Sequence, residues 1–431
     1  MDWRSYVGFL GLLLSMSVLA HVAHAAGPST RHAFFPFDRA AEPGPFPRPS
    51  LHAWPLFEAW SRELPGETIR AWAQTESVTP VVWGDKLLVG SSRGRDVLVL
   101  DRRSGAIVGR YRTRAPIEAQ LVFRPEADAL FVGDTEGFLY RFSLDGTLVW
   151  EYESMGPIFA GLSVGADRVY FHAVDGTLVA LDAESGEEVW GYRRQHWYSD
   201  ELPILGGGRP LEVEGIVVTG FEDGSVVALN AADGRLLWER TLVSDGVWRD
   251  VDGDPISLGD GRIVVSAQDG PTVCLNLETG AELWRIDAGG VGRSCLHEGR
   301  IYLAGTSGEV VSVDVESGNI VWRWTLPKKV LPVSPRIWRG SLLVPASNGL
   351  IYFLDPNNGS RQWIYRTDVR PMGFSAPPAE SPGAIYIVSN GGILYALRTL
   401  DYDPPRIPVD DIEWRERFEG FWVVSLLDDG A

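Results

Sequence analysis

The sequence has little cysteine, little methionine and a shortage of basic residues, and each shortage excludes a class of protein. Its 431 residues include 2 cysteines and 4 methionines. Two cysteines cannot build a disulfide framework or a four-cysteine zinc site. The 39 basic residues are outnumbered by 57 acidic ones, which gives a formal net charge of −18. So acidic a chain is a poor match for nucleic acid or anionic lipid, and we expect neither as a partner.

Long apolar runs are also scarce, and the one that is present lies at the N-terminus. Arg4 precedes an apolar stretch from Val7 to Leu19, which is followed by Ala23-His24-Ala25. A basic start, an apolar core and an A-x-A site are typical of an export signal. We therefore predict a signal peptide over residues 1–25 and a periplasmic location, with an N-terminal anchor helix as the alternative. No cysteine lies beside the cleavage site, so we expect no direct lipid anchor.

The abundant residues are glycine, proline and tryptophan, with 48, 28 and 17 copies. This composition predicts many tight turns between short strands rather than helices. Six of the prolines fall between Gly27 and Ser50. We therefore predict an extended, Pro-rich linker over residues 26–50.

After the linker, a turn glycine recurs with a tryptophan four positions later. The pairs are Gly146 and Trp150, Gly186 and Trp190, Gly234 and Trp238, Gly280 and Trp284, Gly318 and Trp322, and Gly359 and Trp363. Gly105 occupies the same position, but Gly109 stands where its tryptophan would be. The turn glycines are 38 to 48 residues apart. A strand-rich repeat with this period indicates a β-propeller.

Each repeat also contains a hairpin of two short strands joined by a glycine turn. Eight such turns occur, at Gly94, Gly137, Gly176, Gly224, Gly270, Gly308, Gly349 and Gly391. The last hairpin has no tryptophan strand after it, whereas residues 54–64, with Trp60, form a tryptophan strand that no hairpin precedes. We therefore predict an all-β fold over residues 51–400: an eight-bladed β-propeller of four-stranded antiparallel blades, closed by the N-terminal strand.

Seven tryptophans occupy the equivalent position in this scheme: Trp60, Trp150, Trp190, Trp238, Trp284, Trp322 and Trp363. A large ring at a fixed place in successive strands buries much apolar area, and its indole N–H needs one acceptor. We interpret these residues as packing elements between blades, with a ligand role as the alternative.

Three segments carry a family resemblance: LVALDAESGEEVW (178–190), VVALNAADGRLLW (226–238) and VVSVDVESGNIVW (310–322). They resemble the repeat of the quinoprotein-type, PQQ-like propellers, and the likeness runs from Trp54 to Arg398. Two families with this repeat are relevant. One comprises the pyrroloquinoline-quinone alcohol dehydrogenases, and the other is the outer-membrane assembly factor BamB, a periplasmic scaffold bound to the barrel-inserting protein of the outer membrane.

Blade size favours the second family, because the repeats leave almost no room for the insertions that build a dehydrogenase site. The dehydrogenases have an adjacent cysteine pair against the quinone, whereas Cys274 and Cys295 are 21 positions apart. The resemblance thus implies a non-catalytic scaffold without a cofactor, working as a monomer within a complex. A quinone- and calcium-dependent dehydrogenase and a propeller that binds an extracellular polymer or peptide are the alternatives.

The resemblance also implies a partner-binding surface. Asp250 and Asp252 correspond by position to two aspartates that contact the barrel-inserting partner in the assembly factor. Leu202 and Ile204 match two apolar positions of its other contact loop, and Leu205 stands where that family often has arginine. These five residues are the predicted binding site for the barrel-inserting protein or another envelope protein.

Other interpretations of the same residues remain open. Asp250, Asp252 and Asp254 have the spacing of the first ligands of a calcium loop, but Pro255 and Gly261 stand where glycine and a bidentate glutamate would follow. A solvated acidic loop is a further alternative. The acidic tail over residues 401–431 has two aromatic pairs at helical spacing, which indicates either packing on the propeller or a recognition helix.

Overall fold

The computed structural model describes residues 56–66, 76–158, 161–173, 176–194, 208–244, 250–268, 270–290, 292–367 and 372–399. The predicted signal peptide, linker and C-terminal tail lie outside these residues. Within them the chain forms 32 strands and a single 3₁₀ turn, Pro125–Ala127. The described residues include no helix that is long and apolar enough to cross a membrane.

The strands form eight antiparallel sheets of four, which we number as blades in chain order and whose strands we count from first to fourth. Blade 1 comprises β2 (Val81–Trp83), β3 (Lys86–Val89), β4 (Asp96–Asp101) and β5 (Ile107–Arg112). Blade 2 comprises β6 (Val122–Arg124), β7 (Ala129–Gly133), β8 (Phe138–Phe142) and β9 (Leu148–Glu153). Blade 3 comprises β10 (Ser163–Val164), β11 (Arg168–His172), β12 (Leu178–Asp182) and β13 (Glu188–Tyr192). Blade 4 comprises β14 (Leu211–Val213), β15 (Ile216–Gly220), β16 (Ser225–Asn230) and β17 (Leu236–Thr241).

The second half of the chain repeats this order. Blade 5 comprises β18 (Ile256–Ser257), β19 (Arg262–Ser266), β20 (Thr272–Asn276) and β21 (Glu282–Ile286). Blade 6 comprises β22 (Cys295–His297), β23 (Arg300–Ala304), β24 (Glu309–Asp314) and β25 (Ile320–Thr325). Blade 7 comprises β26 (Arg336–Trp338), β27 (Ser341–Pro345), β28 (Leu350–Leu354) and β29 (Arg361–Arg366). Blade 8 comprises β30 (Ala379–Ser381), β31 (Ala384–Val388), β32 (Ile393–Arg398) and, as its fourth strand, β1 (Phe57–Glu63).

The buried core lies between blades rather than within any one of them. The described apolar residues form eight clusters, and each cluster joins two neighbouring blades. One cluster joins Val388 and Leu394 of blade 8 to Leu87 and Leu100 of blade 1. β1 pairs with β32 along six residue pairs. The predicted eight-bladed propeller, closed by the N-terminal strand, is therefore confirmed.

The turns between the second and third strands follow the glycine pattern in most blades. Positive φ angles occur at Gly137, Gly176, Gly224, Gly308 and Gly349. In blade 8 the left-handed residue is Gly392 rather than Gly391, and Gly94 and Gly270 do not adopt this conformation. The hairpins form in all eight blades nonetheless, because cross-strand pairing of the flanking apolar residues sets their register.

Six of the seven repeat tryptophans contact the turn between the third and fourth strands of the next blade. The indole Nε1 donates to a turn carbonyl, with the pairs Trp60–Arg102, Trp150–Ala183, Trp190–Ala231, Trp238–Leu277, Trp284–Val315 and Trp322–Pro356 at 2.7 to 3.3 Å. The ring also covers the turn glycine, as Trp238 covers Gly280. Each tryptophan thus joins its own blade to the following one.

Blades 1 and 7 depart from this scheme for different reasons. Blade 1 has Gly109 at the tryptophan position, and the Tyr111 hydroxyl donates instead to the Leu144 carbonyl of the next turn at 3.0 Å. Trp363 in blade 7 stacks on Phe353 with 3.4 Å between ring centroids. No turn joins β32 to β1, because the two strands lie at opposite ends of the chain, so Trp363 has no such turn to contact.

Candidate functional site

The candidate site lies on the segments that connect successive blades. A crossover here means the segment from the fourth strand of one blade to the first strand of the next. The predicted residues Leu202, Ile204 and Leu205 belong to the crossover from blade 3 to blade 4, and they lie outside the described residues. Asp250 and Asp252 belong to the crossover from blade 4 to blade 5, of which residues 242–244 and 250–255 are described.

Asp250 and Val251 run between the hairpin turns of blades 4 and 5. The Val251 amide donates to the Phe221 carbonyl at 3.2 Å, and the Gln268 amide donates to the Asp250 carbonyl at 2.9 Å. The Val251 side chain belongs to the cluster between the two blades. Asp250 is only 4% exposed. A solvated acidic loop was one alternative for this segment, but the backbone hydrogen bonds to both neighbouring blades draw Asp250 into the protein.

Asp252 is half-buried and more accessible than Asp250. It stands between two buried residues, Val251 and Gly253. The Gly253 amide donates to the Ser266 carbonyl at 3.3 Å. A Cβ added to Gly253 would lie 2.9 Å from that same oxygen. Only glycine fits at position 253, because any side chain would collide with this carbonyl oxygen. The hydrogen bond to Ser266 holds the backbone next to Asp252 against blade 5.

Asp254 forms an ion pair with Arg209, a residue that the sequence reasoning did not single out. Arg209 Nε and Nη2 lie 2.9 and 2.8 Å from Asp254 Oδ2, and the Arg209 amide donates to Oδ1 at 3.0 Å. Both residues immediately precede the proline at the start of a blade, and they are 45 positions apart. Their equivalent positions in neighbouring repeats and their opposite charges were the sequence features that could have predicted this ion pair.

The same position forms hydrogen bonds between other blades. It is the second residue before each first strand, and at three of these positions the amide donates to the side chain at the same position of the next blade. Arg293 donates in this way to Ser334 Oγ at 3.0 Å, and Thr79 donates to Gln120 Oε1 at 2.9 Å. Arg209 and Asp254 are therefore the charged member of a repeated contact between neighbouring blades.

Two further charged residues lie on the first strands of blades 7 and 8. Arg336 Nε is 3.8 Å from Glu380 Oε1. Burial raises the pKa of Glu380 to about 7, although the positive charge of Arg336 opposes this shift. Burial also lowers the pKa of Arg336 below its usual value. The sequence analysis missed both residues, because an Arg and a Glu 44 positions apart carry no motif.

The residues considered for calcium binding and the two cysteines have the following surroundings in the structure. Among the described residues, no three His, Cys, Asp or Glu side chains come together as a metal site. Asp254, the third carboxylate of the calcium-loop spacing, is occupied by Arg209. Cys274 and Cys295 are both free thiols and belong to different core clusters. Burial raises the pKa of the Cys274 thiol to about 11.

Comparison with known proteins identifies the family. The family model described as outer membrane protein assembly factor BamB matches residues 93–297 and 272–401. The chain belongs to this family. The resemblance seen in the repeat segments is thereby confirmed.

Curated relatives with the same description support the assignment at low identity. The BamB of Burkholderia pseudomallei is 29% identical over 202 residues, which cover 44% of this chain and 51% of the relative. The match thus spans about half the length of that relative. The BamB of Bordetella pertussis is 24% identical over 348 residues, which cover 78% of this chain and 88% of the relative.

Solved structures show the same fold. BamB from Moraxella catarrhalis superposes with a TM-score of 0.66 at 19% identity, covering 80% of this chain and 99% of that one. The quinohemoprotein alcohol dehydrogenase ADHIIG from Pseudomonas putida HK5 gives 0.63 at 13% identity, covering 82% and 78%. At these identities the likeness shows the propeller and nothing about activity.

Proposed function

We propose that this protein is an exported, non-catalytic scaffold of outer-membrane β-barrel protein assembly. Its partner is the barrel-inserting protein of the outer membrane or another envelope protein, and the chain acts as a monomer within that complex. Membership of the BamB family supports the assembly role. The observation that carries the binding site is the direct contact between the ends of the two crossovers at Arg209 and Asp254.

The geometry of the crossover suits a binding surface. Hydrogen bonds to the turns of blades 4 and 5 hold the backbone around Asp250 before any partner arrives. Binding then costs little ordering entropy, which is the advantage of a preorganised surface. The half-buried Asp252 brings a negative charge to this surface, which favours an arginine or lysine of the partner. Such charges steer association and select the partner more than they add affinity.

The burial of Asp250 decides which variant tests this proposal. Reversing Asp250 would place a positive charge at a buried position and would test folding as well as binding. Asp252→Lys reverses the charge at the half-buried aspartate of the same crossover. We expect it to reduce recovery of the barrel-inserting protein in co-purification by roughly tenfold, as the loss of a charge-assisted contact implies.

The matched control is Asp233→Lys. Asp233 is an exposed aspartate in the turn between the third and fourth strands of blade 4, away from the crossovers. The Asp233→Lys variant makes the same change of net charge and should leave recovery of the barrel-inserting protein unchanged. Full recovery with Asp252→Lys, or equal loss with both variants, would count against the proposed surface.

The non-catalytic and exported parts of the proposal have tests of their own. Because the fold is shared with a quinohemoprotein alcohol dehydrogenase, the purified protein should be incubated with quinone, calcium and alcohols. Reduction of an electron-accepting dye would contradict a purely scaffolding role. Export predicts that the periplasmic form begins at Ala26, which the mass of the isolated protein will report.

A further inference from the structure

The charged pair of Arg209 and Asp254 connects two neighbouring crossovers. Asp254 uses both carboxylate oxygens for Arg209, one for its amide and one for its guanidinium. The two side chains are 21% and 17% exposed. Charge-assisted hydrogen bonds in so sheltered a place are stronger than surface ion pairs and are less screened by salt.

Asp254 extends the connection to a third crossover. Its amide donates to the Gly292 carbonyl at 3.1 Å, in the crossover from blade 5 to blade 6. Arg293 Nε lies 3.4 Å from Asp254 Oδ2. Asp254 is thus held on both sides, which fixes the backbone two residues beyond Asp252.

The backbones of the two crossovers also touch directly. The Gly208 amide donates to the Val251 carbonyl at 3.4 Å. A Cβ added to Gly208 would lie 2.6 Å from the Gly253 carbonyl oxygen. Any shift of residues 208–209 therefore moves the residues on either side of Asp252.

We propose that Arg209 is a positioning residue for the partner-binding surface, acting through Asp254 to hold Asp252 in its binding orientation. This inference rests on the proposed function for its consequence, but its structural part stands on the contacts above. Arg209 and Asp254 together form the crossover clamp. The clamp is sheltered from solvent, and Asp252 lies two residues before Asp254 in the same crossover.

The structural part is tested without any partner, by hydrogen exchange of the full processed chain. Arg209→Ala removes the guanidinium and should raise exchange at the amides of Arg209, Gly253 and Asp254 together, since they belong to this connection between crossovers. Arg262→Ala is the matched control, because the Arg262 side chain is 19% exposed and pairs with Asp260 of the turn between the first and second strands of blade 5, away from the clamp. Unchanged exchange at Gly253 and Asp254 in Arg209→Ala would overturn the clamp.

The functional part is tested by affinity for the purified periplasmic portion of the barrel-inserting protein. Arg209→Ala should weaken binding roughly tenfold, and Arg209→Lys, which keeps the positive charge beside Asp254, should recover part of the loss. In an Asp252→Asn background Arg209→Ala should have little effect, because the charge that Arg209 positions is gone. An equal loss in both backgrounds would overturn positioning through Asp252.

The two arms separate the failure of this inference from the failure of the proposed function. If the unmodified protein does not bind the barrel-inserting protein, the proposed function fails, and the exchange experiment still decides whether the clamp exists. If the unmodified protein binds and Arg209→Ala binds equally well, the proposed function stands and Arg209 is not a positioning residue.

Discussion

His172, at the end of the second strand of blade 3, is a half-buried histidine whose ring has a single hydrogen-bonding neighbour among the described residues. Its Nε2 lies 2.8 Å from Thr219 Oγ1, and its ring meets Phe221 edge to face with 5.2 Å between centroids. Thr219 Oγ1 in turn donates to the Gly208 carbonyl at 3.3 Å. Burial lowers the pKa of His172 from 6.5 to about 4. The neutral imidazole is thus part of the support beneath the crossover clamp.

The depressed pKa of His172 makes stability depend on pH. The unfolded chain takes up a proton as pH falls through about 6.5, whereas the folded protein resists protonation down to about pH 4, so the stabilising contribution is present above that window and is lost within it. Between pH 7.5 and pH 5 we expect the unmodified protein to lose about 2 kcal/mol of unfolding free energy relative to His172→Gln. Urea unfolding at both pH values measures the difference. Parallel losses in both proteins would contradict the assignment.

At the scale of the element, the repeated unit of adhesion is a tryptophan on one blade and a glycine turn on the next. Gly280 has a φ of +65° and lies under the Trp238 ring, so that an added Cβ would be 2.6 Å from the ring carbons. The Trp238 Nε1 donates to the Leu277 carbonyl of the same turn at 2.7 Å. Glycine is therefore required twice, by the left-handed backbone and by the approach of the indole.

Gly261 in the same blade separates these two requirements. Its φ is +76°, but a Cβ added there would meet nothing within 4 Å. We expect Gly261→Ala to cost about 1–2 kcal/mol through backbone strain alone. Gly280→Ala should cost about 1–3 kcal/mol more, because the Trp238 ring must move. Chemical denaturation of both variants checks the difference, and equal costs would mean that the indole contact contributes nothing.

At the scale of the molecule, β1 is the strand that closes the ring. It covers the edge of β32 through six residue pairs and brings Trp60 against the turn of blade 1. Leu64 at its end is 3% exposed and joins the cluster between blades 8 and 1. Without this strand, blade 8 would present an unpaired edge, which invites pairing with other chains.

Removing residues 1–64 should therefore weaken the whole propeller. Six cross-strand pairs at about 0.2–1 kcal/mol each predict a loss of roughly 1–6 kcal/mol, before the packing of Trp60 is counted. The control variant lacks residues 1–50 and retains β1. Urea unfolding compares stability, and size-exclusion chromatography detects association through the open edge. Equal stability of the two variants would show that closure by β1 is dispensable.

Much of the whole-molecule architecture was predictable, because the same pattern of turn glycines and strand residues occurs in repeat after repeat. The turn glycine and the tryptophan four residues later mark six blades, and the mismatch between Trp60 and the last hairpin indicates closure. Single turns were less predictable. Gly392 rather than Gly391 carries the positive φ, because the choice between adjacent glycines depends on the pairing register of two strands.

The candidate site was predictable only in part. Resemblance to the BamB family directs attention to Asp250 and Asp252, but sequence treats both as members of one acidic loop. The structure separates them, because the backbone hydrogen bonds of Val251 to Phe221 and of Gln268 to Asp250 bury Asp250 and leave Asp252 half-buried. These partners lie 29 and 18 residues from Asp250, beyond the reach of any local pattern.

The sequence by itself determined the number of blades, the closure of the ring by the N-terminal strand, and the packing role of the tryptophans between blades. It could do so because turn glycines and alternating apolar residues act on their own strands and recur in each repeat. The tertiary structure alone decided that Arg209 meets Asp254 and that Glu380 lies beside Arg336 with a pKa near neutrality. Charges on different blades acquire partners, burial and altered proton affinity only when the closed ring brings their strands together.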